Sequence, residues 1–200
     1  MTGKRIAPEE RRALIVEGAA RLLDEHGFGD ITVEMLREEV GLSKGGLYHH
    51  VRSMNDVLVM VCELAAQEML QGLEKARAHQ GSTRDRIDVL VSEHFELVQR
   101  YGGALWAFFG ERNRLPADER DRVISLERAY LRGMTELFDD MTAAGDMRKL
   151  DTLTVAEAML GMVNWVARWH RSGASAASLR VTLVELFIGG VLEQRLPDES

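Results

Sequence analysis

Cysteine, proline and long apolar runs are scarce in this chain of 200 residues. The one cysteine, Cys62, excludes an internal disulfide and a multi-cysteine zinc site, and such low cysteine usage fits the reducing cytoplasm. No apolar run approaches the roughly 18 residues of a membrane-spanning helix, and the amino terminus is charged where a secretion signal needs apolar residues. We therefore expect a cytoplasmic protein with no membrane partner.

Basic residues are fewer than acidic ones, with 25 Lys and Arg against 32 Asp and Glu, a formal net charge of −7. The acid is concentrated late in the chain. Residues 1–55 hold eight bases and nine acids, which leaves −6 for the remainder. The overall balance argues against a nucleic-acid partner, but a nearly neutral amino-terminal part can bind phosphate if its bases share one face.

Only three prolines are present, and Ala, Leu, Glu, Arg and Met are abundant. Both features favour helix. Apolar residues recur at helical spacing, and no segment alternates as a strand does. We predict an all-α protein with a helix-turn-helix DNA-binding domain at residues 1–52 and a helical ligand-binding and dimerisation domain at 53–200. About nine helices are expected, at residues 8–26, 33–40, 44–50, 53–78, 83–101, 104–112, 116–144, 152–171 and 175–194.

The two short helices among these have the features of a helix-turn-helix. Thr32 and Ser43 can cap them, and Gly41 between them permits a tight bend. Lys44 lies in the first turn of the second helix, where a recognition helix presents side chains to DNA. The segment therefore predicts a DNA-reading element.

The rest of the second short helix suits contact with a DNA backbone. Gly45 and Gly46 carry no side chain, so they permit close approach at a helix-propensity cost of about 1 kcal/mol each. Tyr48 and His49 can donate hydrogen bonds to phosphate oxygens, which sets register without reading sequence. Leu47 is expected to pack inward.

This segment resembles the DNA-binding domain of the TetR family of transcriptional regulators. The resemblance rests on a helix that ends in Gly27-Phe28, the turn Gly41-Leu42-Ser43, and the run Gly45-Gly46-Leu47-Tyr48-His49-His50. The motif covers roughly residues 11–58, and the helix layout extends the likeness more weakly over the chain. The resemblance implies a dimer that binds double-stranded operator DNA. The implied DNA-binding residues are Thr32, Arg37, Ser43, Lys44, Gly45, Gly46, Tyr48, His49 and Arg52.

Three positions depart from the family pattern. Arg37 stands where the family often has a small residue, Val51 stands where it usually has Phe, and Met54 stands where it usually has Lys. In the family that Lys lies beside the DNA backbone, so one phosphate contact is missing here. Arg52 or Arg37 is the candidate replacement.

The family resemblance implies that a small-molecule effector binds among the middle helices. Large aromatic side chains and flexible methionines suit a bulky apolar ligand, although for each residue taken alone ordinary core packing is the favoured explanation. Asn164 stands out because a buried amide needs a hydrogen-bond partner. The candidate lining residues are Trp106, Phe109, Tyr130, Met134, Met159, Met162, Asn164, Trp165, Arg168 and Trp169.

The run from Asn164 to Arg171 resembles the eighth helix of TetR-family members that sense acyl-CoA thioesters. In that interpretation Arg168 and Arg171 meet phosphates of the ligand. The alternative is that Arg171 is a solvated charge at a helix end.

The last two predicted helices are expected to form a four-helix bundle with a second copy of the chain. The helix at 152–171 is apolar on two sides, which is typical of a helix packed on both faces. Gly189-Gly190 permits close helix approach. A two-fold dimer places two recognition helices about one turn of DNA apart and predicts a palindromic operator.

No residue set suits catalysis or metal binding. Cys62 falls on the inner stripe of a long helix, and adjacent residues such as His49 and His50 point apart on a helix. No phosphate-binding glycine loop is present. We expect no enzyme, no metal and no cofactor.

The leading hypothesis is a ligand-responsive repressor released by a small apolar effector. The alternative is a helical small-molecule sensor with weak or lost DNA binding, suggested by Met54 and the acidic charge.

Overall fold

The computed structural model describes residues 7–169 and 176–192, and this part of the chain is helical. It contains eight α-helices, two single-turn 3-10 helices at Phe28–Asp30 and Arg112–Arg114, and no strand beyond an isolated bridge between Met147 and Leu192. The all-α prediction is confirmed. The α-helices are α1 Pro8–His26, α2 Val33–Val40, α3 Lys44–Tyr48, α4 Met54–Ala78, α5 Thr83–Glu111, α6 Ala117–Ala143, α7 Thr152–Trp169 and α8 Ala176–Val191.

The helices divide into two compact units. The first comprises Met1–Ala65 with Arg100–Ile124, and the second comprises Ala66–Gln99 with Ser125–Ser200. Helices α4, α5 and α6 each contribute residues to both units. The functional boundary expected after residue 52 stays a prediction.

The first unit is organised around the buried faces of its helices. Ile15 of α1, Leu36 of α2 and Leu47 of α3 are fully buried, and so is Val51 just beyond α3. Complete burial of each such side chain stabilises the fold by about 2 kcal/mol. These buried side chains anchor α1, α2 and α3 within the first unit.

The predicted break at Gly102-Gly103 was wrong. Helix α5 runs without interruption from Thr83 to Glu111, so the described residues contain eight α-helices where nine were expected. A Cβ atom on Gly103 would lie 2.7 Å from the Cα atom of Asp24 in α1. The glycine therefore serves close packing of two helices, and this packing compensates for its poor helix propensity.

The second unit has its own continuous core. Leu90 and Phe95 of α5, Met134 and Phe138 of α6, and Met159 of α7 are buried together with apolar residues of α8. None of the described helices is both long and apolar enough to cross a bilayer. The predicted ends at residues 171, 175 and 194, and the predicted phosphate contact of Arg171, lie outside the described residues.

Candidate DNA-binding and effector sites

The connection between α2 and α3 has the local geometry expected from its sequence. Gly41 adopts a left-handed conformation with φ of 64°, which L side chains rarely tolerate. The Thr32 hydroxyl accepts a hydrogen bond from the Met35 amide at 3.2 Å, and the Ser43 hydroxyl accepts one from the Gly46 amide at 3.2 Å. Both predicted caps are confirmed, so Thr32 and Ser43 position the two helices.

One face of α3 is open to solvent and carries the predicted contact residues. Lys44 and His49 are exposed, and Tyr48 is 42% exposed although it is a large aromatic residue. The Lys44 ammonium lies 5.9 Å from the centre of the Tyr48 ring, a cation–π distance. The ammonium and the phenol therefore lie side by side on α3, and the exposed His49 follows at the carboxy-terminal cap of the helix.

The two glycines of α3 have different surroundings. A Cβ atom on Gly45 would meet no atom within 4 Å, whereas one on Gly46 would lie 3.1 Å from the Ser43 hydroxyl oxygen. Gly45 therefore leaves open space on the exposed side of α3, where a DNA backbone could approach. Gly46 instead lies against the Ser43 hydroxyl that caps α3.

Arg37 is engaged by neighbouring groups of its own helix and of the turn that follows it. Its Nε donates to Glu34 Oε1 at 2.7 Å, and its guanidinium also contacts Glu38 at 3.4 Å and the Leu42 carbonyl oxygen at 3.4 Å. A phosphate would have to compete with two carboxylates for this guanidinium. Its position favours a role in holding the turn over a direct DNA contact.

Arg52, unlike Arg37, has a guanidinium that is open to solvent. Its side chain is 88% exposed, and its Nε lies 3.6 Å from Asp56. Burial alone would raise the pKa of Asp56, but hydrogen bonds from the Arg52 amide and the Ser53 hydroxyl hold that pKa below its usual range. Of the two candidate replacements for the missing basic residue at Met54, the geometry favours Arg52.

Sequence reasoning missed an ion-pair network that joins three helices of the first unit. Glu63 of α4 accepts a hydrogen bond from Arg122 of α6 at 2.8 Å and lies 3.9 Å from Arg12 of α1. The three positions are 51 and 59 residues from one another in sequence. No local pattern indicates such a contact, because it depends on how the helices pack.

The predicted effector residues are distributed over both units. In the first unit, Trp106 and Phe109 lie with ring centres 6.1 Å apart, and the Arg112 guanidinium lies 5.7 Å from the Phe109 ring centre. In the second unit, Tyr130 and Met134 are buried. Met159 is buried as well, and Met162 and Asn164 are half-buried.

Trp165 and Trp169 do not join the buried members of this set. They are 57% and 65% exposed, and their rings meet edge to face at 5.6 Å. Arg168 is exposed as well. Within a single chain these three residues lie on the outer side of α7, which separates them from Tyr130 and Met134.

His94 connects two of the buried candidates, and the predicted site set did not include it. His94 Nε2 lies 3.0 Å from Asn164 Oδ1, and the Tyr130 hydroxyl lies 3.4 Å from His94 Nδ1. Burial lowers the pKa of His94 to about 4, and burial also raises the pKa of Tyr130, so both side chains are neutral near pH 7. His94 is therefore a core histidine with partners on both ring nitrogens, and it is the partner that Asn164 needs.

Comparison with known proteins gives the family. Residues 15–61 match the family of bacterial regulatory proteins named tetR, and residues 80–191 match the tetracyclin repressor-like carboxy-terminal domain. The transcriptional repressor KstR2 of Rhodococcus jostii is 25% identical over 167 residues, which are 82% of each chain.

Two solved structures show the same fold. The ketosteroid transcriptional regulator KstR2 of Mycobacterium tuberculosis has a TM-score of 0.77 at 18% identity, covering 95% of this chain and all of its own. AibR in complex with isovaleryl coenzyme A and operator DNA has a TM-score of 0.72 at 20% identity, covering 88% and 97%. Regulators of this kind bind operator DNA and small-molecule effectors and act as dimers, and they are not enzymes. The chain, with its capped helix-turn-helix and helical second unit, therefore belongs to the TetR family of transcriptional regulators.

Proposed function

We propose that this protein is a ligand-responsive repressor that binds a palindromic operator as a homodimer and leaves it when a small apolar effector binds. The observation that carries the proposal is the exposed face of α3 and its carboxy-terminal cap, where Lys44, Tyr48 and His49 are open to solvent. These donors suit phosphate oxygens, and Gly45 leaves room for the backbone of DNA to approach. Since a repressor acts where its operator DNA is, the proposal includes a cytoplasmic location.

An exposed apolar surface on α7 and α8 supports dimerisation through these helices. Soluble monomers rarely expose so many large apolar side chains on adjoining helices, and covering them removes apolar area from water. Gly161 and Gly189 also face open space, which permits close helix approach. The exposed apolar residues on the two helices are Leu153, Trp165, Trp169, Val181 and Leu186.

A two-fold axis through this surface relates two copies of α3. Isologous dimers of helix-turn-helix proteins read half-sites one helical turn, about 34–36 Å, apart or slightly more. The operator is therefore expected to be an inverted repeat. Trp165 and Trp169 contribute to this surface in the dimer, rather than lining a ligand site within one chain.

The interior of the second unit supports an apolar effector. Met134 and Met159 are buried beside Tyr130, and the half-buried Met162 and Asn164 lie on α7. Flexible methionines adapt to varied apolar shapes, and a single amide suits one polar group of a ligand. The described complex of AibR holds isovaleryl coenzyme A, so an acyl-CoA thioester is one candidate effector here.

Fluorescence anisotropy with fragments of the upstream genomic region, at two salt concentrations, tests the operator part of the proposal. We expect one fragment with an inverted repeat to bind tightly, and we expect the affinity to fall steeply with salt because phosphate contacts release counterions. Lys44→Ala should weaken binding and flatten the salt dependence while the dimer stays intact. Lys149→Ala, in the loop before α7, is the matched control and should leave binding unchanged.

The second candidate function is a small-molecule sensor with lost DNA binding. It is favoured by Met54 in place of a basic residue and by the net charge of −7. Background affinity with a flat salt response, together with ligand-induced thermal stabilisation, would support this candidate. Equal binding by the wild type and Lys44→Ala would also contradict the repressor proposal.

A further inference from the structure

The polar groups inside the second unit form a short chain that ends in a side chain accessible to solvent. Tyr130 and His94 are almost completely buried, whereas Asn164 is half-buried. The chain runs from the Tyr130 hydroxyl to His94 Nδ1 over 3.4 Å, and from His94 Nε2 to Asn164 Oδ1 over 3.0 Å. Of the three side chains, Asn164 is therefore the one that solvent reaches.

The position of the proton on His94 follows from what Tyr130 needs. Burial keeps His94 neutral at physiological pH, so its ring holds one proton. If that proton were on Nδ1, the buried Tyr130 hydroxyl would have to accept it, and its own O–H would have no acceptor among the described residues. A buried donor without a partner costs about 1–3 kcal/mol. The Tyr130 O–H therefore donates to Nδ1, and the proton is on Nε2.

The proton on Nε2 then determines which end of the Asn164 amide faces inward. Nε2–H is a donor, so it requires the acceptor oxygen Oδ1, which is the arrangement observed at 3.0 Å. The Asn164 NH2 group is left pointing away from His94. Among the described residues no hydrogen-bond acceptor contacts it, so within this part of the chain the amide protons are available to solvent or to a ligand.

We propose that His94 is a positioning residue that holds Asn164 as a hydrogen-bond donor to the effector, so that the effector is an apolar molecule presenting an acceptor oxygen, such as a carbonyl. The inference rests on the proposed function, because it concerns the effector of that regulator. Met134 and Met159 belong to the same buried core as Tyr130, and Met162 packs against that core, so the neighbouring interior is apolar and offers affinity without polar selectivity. The fixed amide supplies the selectivity.

Nuclear magnetic resonance on the full-length protein tests the inference in two steps. The first step measures the ring nitrogens of His94 in protein labelled with 15N histidine. We expect a neutral ring with its proton on Nε2 between pH 6 and pH 8. A proton on Nδ1, or a protonated ring in this range, overturns the proposal.

The second step compares two probes of the same shape, cyclohexanone and methylenecyclohexane, at equal concentration. Only the ketone has an acceptor, so it should bind about fivefold more tightly and shift the Asn164 side-chain amide resonance, as one net hydrogen bond predicts. Equal affinities, or no shift of the Asn164 amide with either probe, overturn the proposal.

Two substitutions of the histidine separate positioning from simple packing. In His94→Gln the side-chain amide can donate to Asn164 and accept from Tyr130, so the preference for the ketone should persist. In His94→Leu neither bond forms, so the preference should disappear even where the protein stays folded. Loss of the preference in both variants, or its persistence in both, contradicts the positioning role.

Further measurements keep this inference distinct from the proposed function. Met162→Leu changes the apolar surroundings alone and should alter the binding of both probes equally. Operator binding is measured separately by anisotropy. If the ketone preference holds without operator binding, the repressor proposal fails and the site inference stands. If operator binding holds without the preference, the site inference alone fails.

Discussion

The buried imidazole of His94 makes a specific prediction about acid stability. His94 is 2% exposed, and burial lowers its pKa from 6.5 to about 4 in the folded protein. The unfolded chain therefore binds one more proton than the folded chain between these two pH values. Because protons bind more strongly to the unfolded state in this window, His94 lowers the free energy of unfolding as the pH falls from about 6.5 to 4. Above pH 6.5 the histidine does not change this free energy with pH.

The magnitude follows from the two pKa values. Between pH 7 and pH 5 a histidine with these values lowers the free energy of unfolding by about 2 kcal/mol. His94→Gln retains a donor and an acceptor at this position but does not titrate. The variant should therefore lose about 2 kcal/mol less than the wild type over the same interval, whatever its stability at pH 7.

Urea denaturation of both proteins at pH 7 and pH 5, at one protein concentration, measures this difference. The concentration must be fixed because the stability of a dimer depends on it. All other residues are the same in both proteins, so their contributions cancel in the comparison. An equal loss of stability in wild type and His94→Gln would refute the reasoning, since it would mean that His94 is protonated without penalty in the folded state.

The remaining predictions concern DNA binding, helix packing and dimerisation. Tyr48→Phe removes one exposed phenol O–H and should weaken operator binding about fivefold by anisotropy, with unchanged dimerisation; unchanged affinity would exclude a phosphate contact. Gly103→Ala places a methyl group 2.7 Å from the α1 backbone and should destabilise the protein by about 1–3 kcal/mol in thermal denaturation. Gly110→Ala, also in α5 but facing open space, should be neutral or stabilising by up to about 1 kcal/mol, and equal effects of the two would contradict the packing argument. Leu186→Glu, at a side chain 65% exposed on α8, should shift the protein from dimer to monomer in light scattering, and a retained dimer would place the interface elsewhere.

The helix-turn-helix could be predicted from the sequence because it depends on interactions between residues close together in the chain. The bounds of α1, the caps at Thr32 and Ser43 and the turn at Gly41 were all predictable, because each depends on atoms within a few residues of chain. A hydroxyl that caps its own helix, or a glycine with positive φ, needs no distant partner. The family resemblance has the same origin, since it rests on this short segment.

The tertiary structure decided what depends on residues far apart in sequence. From the sequence, Gly103 predicts a helix break. The structure shows instead that the glycine lets α5 pack closely against the backbone at Asp24 of α1. Asn164 could be singled out as an amide in need of a partner, but that partner, His94, lies 70 residues away. Trp165 and Trp169 were candidates for the ligand site, but the tertiary structure leaves both exposed. Which face of a helix is covered depends on the packing of other helices, and no local pattern contains that information.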